Sequence, residues 1–327
     1  MNASRRGFGN VRLPEIASAE TGDAAAAAPG EEGETLLALL HVLISGIALG
    51  CIYALVALGF VLIYKATEAV NFAQGELMML GAFAGFALTQ LLGVPFYLAM
   101  MIAVLLVAGL GVLIERIAIR PILGEPQFSV VMLTIGLGYV ARGGVTMTPF
   151  LGADTYALPT PYKGEMLRFA GLALSVDQAV VIGATMALCA ALYALFRYTK
   201  IGIAMQAASQ NQLAAYYMGI PVRGLNALVW GLSAGVAAIA GLLLAPLTFV
   251  HVNMGLIGLK AFPAAVIGGF GSLPGAVIGG LVIGVVESLA GFFLPEGAKD
   301  IAAYVVVLLM LMIKPTGLFG DTQRKKV

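Results

Sequence analysis

The chain has 327 residues, of which 60% are hydrophobic and only 11% are charged, with a formal net charge of +1. Soluble globular domains carry about 25% charged residues. The composition therefore excludes a soluble fold and predicts an all-α, polytopic bundle of transmembrane helices. The length allows roughly eight to ten spans of about 20 residues, including short or broken helices, and the near-neutral charge argues against nucleic-acid binding.

Residues 1–35 differ in composition from the rest of the chain. An alanine run at 24–28 precedes Pro29 and Gly30, with acidic residues scattered around it, and such a segment buries too little apolar surface to fold. We expect a disordered N-terminal tail at 1–35. It is not a signal peptide, because no basic stretch leads directly into a short apolar core. A membrane domain at 36–320 and a basic C-terminal tail at 321–327 follow.

Long stretches without charged residues mark the candidate spans, because a charge at the bilayer centre is costly. In chain order these stretches are 36–64, 77–114, 127–141, 178–196, 224–259, 261–286 and 301–313. The second is long enough for two crossings with a turn at 93–95. The fifth indicates one span followed by a loop or a broken helix, since Pro246 lies inside it.

The glycine-rich stretch at 261–286 is interrupted at 271–275 by Gly-Ser-Leu-Pro-Gly. Such a break predicts either a tight turn between two short crossings or a discontinuous helix. Basic residues cluster at 116–120, at 197–223 and at 324–326, as is typical of cytoplasmic ends. Two crossings at 261–286 give about nine spans, an outside N-terminus and a cytoplasmic C-terminus. A re-entrant segment would place the C-terminus outside.

A polar segment at 199–226 separates two of the spans and keeps helical periodicity. One face of a helix can hold Ile203, Ala207, either Leu213 or Ala214, Tyr217 and Met218, and the element ends at Gly219. A short helix on the cytoplasmic side is what a permease needs to dock onto a motor protein. The alternative interpretation is an interfacial helix that lies passively on the lipid headgroups.

Six blocks of sequence resemble, in order, the inner-membrane permeases of branched-chain amino-acid (Liv-type) ABC importers. They are IYALVALGFVLIYKATEAVNFAQGELMMLGAF at 52–83, ERIAIRP at 115–121, AGLLLAP at 240–246, KAFPAAVIGGFGSLPGAVIGGLVIGVVE at 260–287, KD at 299–300 and PTGLFG at 315–320. The resemblance runs from about residue 40 to residue 320. It implies a multi-pass inner-membrane permease that pairs with a second, homologous permease, two ATPase subunits and an extracytoplasmic solute-binding protein.

The same resemblance makes 199–226 the ATPase-coupling segment. The residues expected to serve it are Gly202, Ala204, Gln206, Ala207, Ala214, Met218 and Gly219. Members of the family often carry basic residues here in a GRAxRA-like pattern. This chain has Ile203 and Gln206 at those positions, which puts in doubt which contacts the motor subunit makes.

Asn71, Gln74 and Glu76 are candidates for the translocation path. They immediately precede a long apolar stretch and flank Gly75, and amide groups can exchange hydrogen bonds with a passing polar solute. The alternative is that they cap a helix, since an acidic residue near a helix N-terminus is favoured by the macrodipole.

Glycines in the broken region are expected to serve helix packing. Gly271, Gly275 and Gly279 are spaced four apart, as are Gly280 and Gly284, and small residues at this interval let helices approach closely in lipid. None of these glycines is followed by the Lys-Ser or Lys-Thr of a phosphate-binding loop. We therefore expect no enzymatic activity and no cofactor, with ATP hydrolysis supplied by a separate subunit.

Three ionisable residues lie in or near the predicted spans: Arg142, Lys260 and Glu287. Such residues are candidates for function, although we interpret Arg142 and Lys260 as long side chains that reach the membrane interface. Trp230 is interpreted as an interface anchor. No histidine or cysteine has a partner at metal-ligand spacing.

The function predicted is therefore import of a small polar solute, with branched-chain amino acids first and urea or short amides as close alternatives. A secondary transporter driven by an ion gradient would also have broken helices, but the spans hold few carboxylates for ion coupling. A passive channel would not need the 199–226 segment.

Overall fold

The computed structural model describes residues 31–152, 154–169, 172–295 and 297–320. Within these ranges lie eleven α-helices: α1 (Glu31–Thr67), α2 (Gln74–Phe86), α3 (Phe96–Ile114), α4 (Gln127–Met147), α5 (Val176–Tyr198), α6 (Lys200–Gln210), α7 (Gln212–Tyr217), α8 (Val222–Thr248), α9 (Met254–Gly268), α10 (Leu273–Phe293) and α11 (Ala298–Ile313). A short antiparallel hairpin joins β1 (Met166–Phe169) to β2 (Leu172–Ser175). The predicted tails lie outside the described residues, except that 31–35 begin α1.

The architecture is the expected polytopic helical bundle. Six helices are long and apolar enough to cross a membrane, namely α1, α3, α4, α5, α8 and α10. The shorter α2, α9 and α11, of 13, 15 and 16 residues, complete the bundle. The structure therefore confirms the predicted mixture of full spans with short or broken helices.

Close packing of α1 against α10 forms one half of the core, and glycines permit it. A Cβ on Gly284 would meet the backbone of Gly50, and one on Gly280 would meet the backbone of Ala54. Small residues on both helices let the two backbones touch, as helices in lipid require for strong van der Waals packing.

Helix α8 lies at the centre of the other half of the core, between α2 and α3. Gly81 of α2 lies against Ala238, and Gly111 of α3 lies against the backbone of Trp230. The Trp230 side chain is only 1% exposed. The prediction that it anchors the chain at the membrane interface is therefore wrong, because the indole lies in a buried cluster with Ile63, Ile119 and Val130.

The glycine-rich region forms two antiparallel helices, α9 and α10, joined by a tight turn at 269–272. Gly268 and Gly275 meet across the turn, and Gly279 lies against the carbonyl of Ala264. Gly271 lies in the turn itself, with open space where a Cβ would project. It takes no part in the packing expected for it, because α10 begins only at Leu273.

The bundle has two distinct ends. At one end Gln212 donates to the carbonyl of Ala66, Arg120 donates to the carbonyl of Arg223 and the Leu318 amide donates to the carbonyl of Ile267. We call this the basic end, after Lys65, Arg116, Arg120, Arg197, Lys200, Arg223 and Lys314. Four helices, α8 to α11, lead from the 199–221 segment back to 314–320 at the same end. This matches the alternative in which the glycine-rich region crosses twice.

The opposite end carries the β1–β2 hairpin, and we call it the hairpin end. Here Tyr156 and Val250 exchange a pair of backbone hydrogen bonds of 2.8 and 2.7 Å. This bridge joins the long α4–α5 loop to the segment between α8 and α9.

Candidate translocation site and coupling surface

Helix α2 begins inside the bundle rather than at one of its ends. Its first residue, Gln74, donates from Nε2 to the carbonyl of Ser233 at 3.3 Å. Ser233 is the twelfth residue of the 27-residue helix α8, which is about 40 Å long at 1.5 Å per residue. The start of α2 therefore lies near the middle of the bundle, far from either end.

The amides of Asn71 and Gln74 hold this internal helix start in place. Asn71 accepts a hydrogen bond from the Ala73 amide at 3.1 Å and donates to Gln74 at 3.3 Å. The Ser233 hydroxyl lies within hydrogen-bond distance of both the Gly59 carbonyl and Gln74 Oε1. Both amide side chains are almost fully buried, because backbone groups at an interrupted helix need internal partners in lipid.

Glu76 lies differently from the two amides. It forms an ion pair with Arg142 of α4, and the exposed fractions of the two side chains are 9% and 23%. The interpretation of Arg142 as a side chain reaching for the membrane interface is wrong. Its guanidinium instead turns towards a carboxylate on a neighbouring helix, because a buried charge is stabilised by an opposite one.

A cavity of about 210 Å³ opens beside this ion pair. It lies between α2, α4 and α9 and is lined by Phe72, Glu76, Ile135, Gly138, Tyr139, Arg142, Leu256 and Leu259. Since a water molecule occupies about 30 Å³ in the liquid, the cavity has room for several waters or a small solute. Of the three residues predicted for the path, Glu76 lines the cavity and Asn71 and Gln74 do not.

Helix α9 also begins at this site. Gly255, its second residue, lies so close to the ion pair that a Cβ there would come within 2.7 Å of Glu76 Oε1 and 3.1 Å of Arg142 Nη2. Gly75 and Gly258 bring α2 and α9 together beside it. The positive ends of two helix dipoles therefore converge on one carboxylate and one guanidinium.

The cavity opens towards an outer face of the bundle formed by α4. Tyr139 and Val140 are 71% and 72% exposed on this helix, and at Gly136, Gly143 and Gly144 an added Cβ would meet open space. An ion pair and a cavity thus lie near an uncovered helix face.

A second group of charges lies between α1, α9, α10 and α11. Lys260 is ion-paired with Glu287 at 3.2 Å and with Asp300, and the Tyr53 hydroxyl donates to Glu287 at 2.6 Å. Lys260 is therefore a partner in a buried network, and the prediction that it reaches for the interface is wrong. The network fastens four helices together and lines none of the cavity described above.

The 199–226 segment folds into two short helices at the basic end. Thr199 caps α6 by accepting from the Gly202 amide at 3.0 Å, and Asn211 caps α7 by accepting from the Ala214 amide at 2.9 Å. Both are preferred N-cap residues. Met205, Ala208 and Ala215 face inwards and pack near Leu62 and Leu225.

The opposite side of these helices is exposed and carries apolar side chains together with the polar residues Lys200, Gln206, Gln210, Asn211 and Gln212. Ile203, Leu213, Tyr216, Tyr217 and Met218 are between 59% and 81% exposed, and we call them the coupling surface. Among the residues expected to serve coupling, Ala214 and Gly219 are exposed beside it, while Gln206 donates to the carbonyl of Phe196. Ala204 and Ala207 are half-buried. Gly202 is buried against Phe196, where it lets α6 fold back on α5.

Two features of the site had no signal in the sequence. Ser233 lies in an apolar helix with nothing to distinguish it, and the pairing of Arg142 with Glu76 joins residues that are 66 positions apart. An ionisable residue in a membrane segment can be identified from the sequence as a candidate functional residue. The sequence does not reveal which residue is its ion-pair partner. Within the described ranges, no group of three His, Cys, Asp or Glu side chains could hold a metal ion.

Comparison with known proteins shows the family. The family of the branched-chain amino acid transport system, permease component, matches residues 42–314. LivH of Escherichia coli, a high-affinity branched-chain amino acid transport system permease protein, is 31% identical over 309 residues, 90% of this chain and 99% of LivH. The corresponding permease BraD of Pseudomonas aeruginosa is 30% identical over 303 residues, 88% of this chain and 98% of BraD.

A more distant relative has a different solute in its name. The fructose import permease protein FruG of Bifidobacterium longum is 25% identical over 269 residues, 76% of this chain and 74% of FruG. With a family match across most of the membrane domain and two relatives matched over nearly their whole length, the assignment is clear. The chain is a multi-pass inner-membrane protein and belongs to the family of permease components of branched-chain amino acid ABC transport systems.

Proposed function

We propose that this chain is one of two permease subunits that together import a branched-chain amino acid. In this proposal a second, homologous permease completes the translocation path, and two cytoplasmic ATPase subunits drive the transport cycle. An extracytoplasmic solute-binding protein delivers the substrate. In this proposal ATP is hydrolysed by the ATPase subunits and not by the permease chain.

The observation that carries the proposal is the ion pair beside an outer face of the bundle. Ionised side chains at membrane depth face a bundle interior or a water-filled cavity, because exposure to lipid is costly. Glu76 and Arg142 line a cavity that opens to the α4 face. A second permease packed over α4 turns that cavity into an enclosed, polar path between two subunits.

The distribution of basic residues supports the orientation. Lys65, Arg197, Lys200 and Arg223 lie at the same end of the bundle as α6 and α7. Lysine and arginine are enriched in cytoplasmic loops, so the basic end faces the cytoplasm and the hairpin end faces the binding protein.

The coupling surface supports the site of ATPase docking. Its apolar side chains project from short helices that lie beyond the end of the long spans, and an exposed apolar patch in a soluble compartment marks an interaction site. Tyrosine and methionine are also enriched in protein interfaces. These five apolar and aromatic side chains give the contact with the ATPase a hydrophobic part.

The experiment is a pull-down of the purified transporter. Leu213→Glu combined with Met218→Glu places two carboxylates on the coupling surface, and we expect loss of the ATPase subunits and of ATP-dependent uptake. Both positions are exposed, so the permease itself should remain folded and present in the membrane. Phe150→Glu, an equally exposed change at the hairpin end, is the control and should retain the ATPase subunits.

Retention of the ATPase subunits by the double variant at wild-type levels would contradict the proposed docking site. A wild-type complex that lacks any ATPase subunit would contradict the proposal that this chain belongs to an ATP-driven importer. Uptake that persists with a hydrolysis-deficient ATPase but stops when the ion gradient is collapsed would instead indicate a secondary transporter.

A further inference from the structure

The Glu76–Arg142 pair leaves part of the arginine unused. The ion pair involves Nη2 of Arg142, while Nε is buried without a hydrogen-bond partner among the described residues. A guanidinium presents five N–H donors in a planar fork, and such a fork can hold a carboxylate through two parallel hydrogen bonds. Arg142 therefore has one N–H donor, at Nε, that has no acceptor among the described residues.

The cavity beside the pair has two chemically different parts. One wall carries the two opposite charges, and the other carries the aliphatic and aromatic side chains of Phe72, Ile135, Leu256 and Leu259. Binding pockets for small molecules are mostly apolar, with a few polar groups that fix orientation. The apolar wall suits a branched aliphatic side chain, and the charged wall suits a head group with both signs of charge.

The two helix starts add to the positive potential at the same place. Glu76 is the third residue of α2 and Gly255 the second of α9, so both N-terminal dipole ends face the pair. Discontinuous helices in transporters use such ends to hold the anionic group of a substrate. A carboxylate entering the cavity thus meets a guanidinium and two helix N-termini.

We propose that Glu76 and Arg142 form a binding site for the charged head of a zwitterionic amino acid within the translocation path. Arg142 binds the α-carboxylate and Glu76 binds the α-ammonium group. In the empty site the two side chains neutralise each other, and the substrate replaces each partner with a group of the same charge. The inference rests on the proposed function and adds that uncharged amides and sugars lack the groups to open this ion pair.

The test uses the complete transporter in proteoliposomes with ATP and binding protein saturated with L-leucine. The key variant is Glu76→Gln combined with Arg142→Gln, which removes both charges and so leaves no unpaired ion to disturb folding. We expect leucine taken up per ATP hydrolysed to fall about tenfold or more, as loss of hydrogen bonds to charged groups predicts. Hydrolysis stimulated by the binding protein should stay within about twofold, because the coupling surface is distant from the pair.

A second variant tests the cavity without altering charge. Gly138→Leu fills the space beside Glu76, where an added Cβ lies at an ordinary contact distance of 3.6 Å, and we expect the same loss of uptake per ATP. Arg142→Lys keeps the positive charge but loses the fork, so its uptake should fall between those of the wild type and the double variant.

Two results would overturn the proposal while leaving the importer intact. One is wild-type uptake by the charge-free double variant. The other is a parallel fall of uptake and hydrolysis, which leaves uptake per ATP unchanged and indicates a purely structural ion pair. If the wild-type complex shows no ATP-dependent leucine uptake at all, the proposed function fails first.

Discussion

At the scale of single residues, the absence of a side chain decides how closely the helices approach. Where Gly284 faces Gly50 and Gly280 faces Ala54, backbone lies directly against backbone. Backbone atoms cannot move aside as the end of a flexible side chain can, so even a small addition forces α1 and α10 apart.

Gly284→Val should therefore destabilise the bundle strongly. Overpacking a well-packed interior costs roughly 1–3 kcal/mol, and here the clash is with backbone. The measurement is the thermal stability of the purified permease in detergent. Gly271→Ala is the matched control, because its Cβ would project into open space, and it should change stability little. Equal melting temperatures for the two variants would contradict this account of the packing.

The same glycines show how far sequence alone could predict the fold. The spacing of four residues predicted that Gly271 packs together with Gly275 and Gly279. Spacing does not show where a helix begins, and Gly271 precedes the start of α10. Trp230 and Arg142 were misinterpreted for a related reason. The position of a side chain along one span does not reveal which other helix covers it, and that depends on contacts between residues far apart in the sequence.

At the scale of elements, α9 is held by charge as well as by glycine contacts. Lys260 reaches Glu287 on α10, whose side chain is 2% exposed, and Asp300 on α11, whose side chain is 69% exposed. Burial makes the first of these pairs sensitive to the loss of one partner, while solvent around Asp300 weakens the second.

Lys260→Met should leave the Glu287 carboxylate buried without its counter-charge and destabilise the protein by about 3–5 kcal/mol. Lys260→Met combined with Glu287→Met should recover much of that loss, since an apolar pair needs no compensation. Asp300→Asn should cost no more than about 1 kcal/mol, as for exposed ion pairs. Chemical denaturation of the three variants in detergent measures the differences. A double variant less stable than Lys260→Met would show that the network has another role.

Charge-free stretches predicted the long spans well, because charges inside lipid are costly and therefore rare in such helices. They could not predict the internal starts of α2 and α9. The stretch at 224–259 contains nearly all of α8, the non-helical segment 249–253 and the first residues of α9, and none of these parts carries a charge. Only long-range contacts, such as the hydrogen bonds between the Gln74 side chain and Ser233, reveal that a helix begins inside the bundle.

At the scale of the whole molecule, the basic clusters at 116–120 and 197–223 share one end. The proposed cytoplasmic placement of that end gives the membrane domain a fixed orientation. The exposed residues Met218 at the basic end and Phe150 at the hairpin end report on opposite sides of the membrane.

Met218→Cys and Phe150→Cys should therefore react with a membrane-impermeant maleimide from opposite sides. In cells that express the permease alone, Phe150→Cys should be labelled in intact cells and Met218→Cys only after the membrane is opened. The parent protein, with Cys51 buried and Cys189 partly buried, sets the background. The reverse labelling pattern would contradict the orientation.

The contact between α1 and α10 also bears on how the protein is made. The first helix of the described residues meets α10 only after about 230 further residues have been synthesised, since Gly50 meets Gly284. Contacts so distant in sequence form late and slowly. Until α10 is inserted, Gly46 and Gly50 of α1 lack the α10 backbone against which they pack in the described structure. We therefore expect chains that end before residue 273 to be degraded rather than to accumulate as stable fragments.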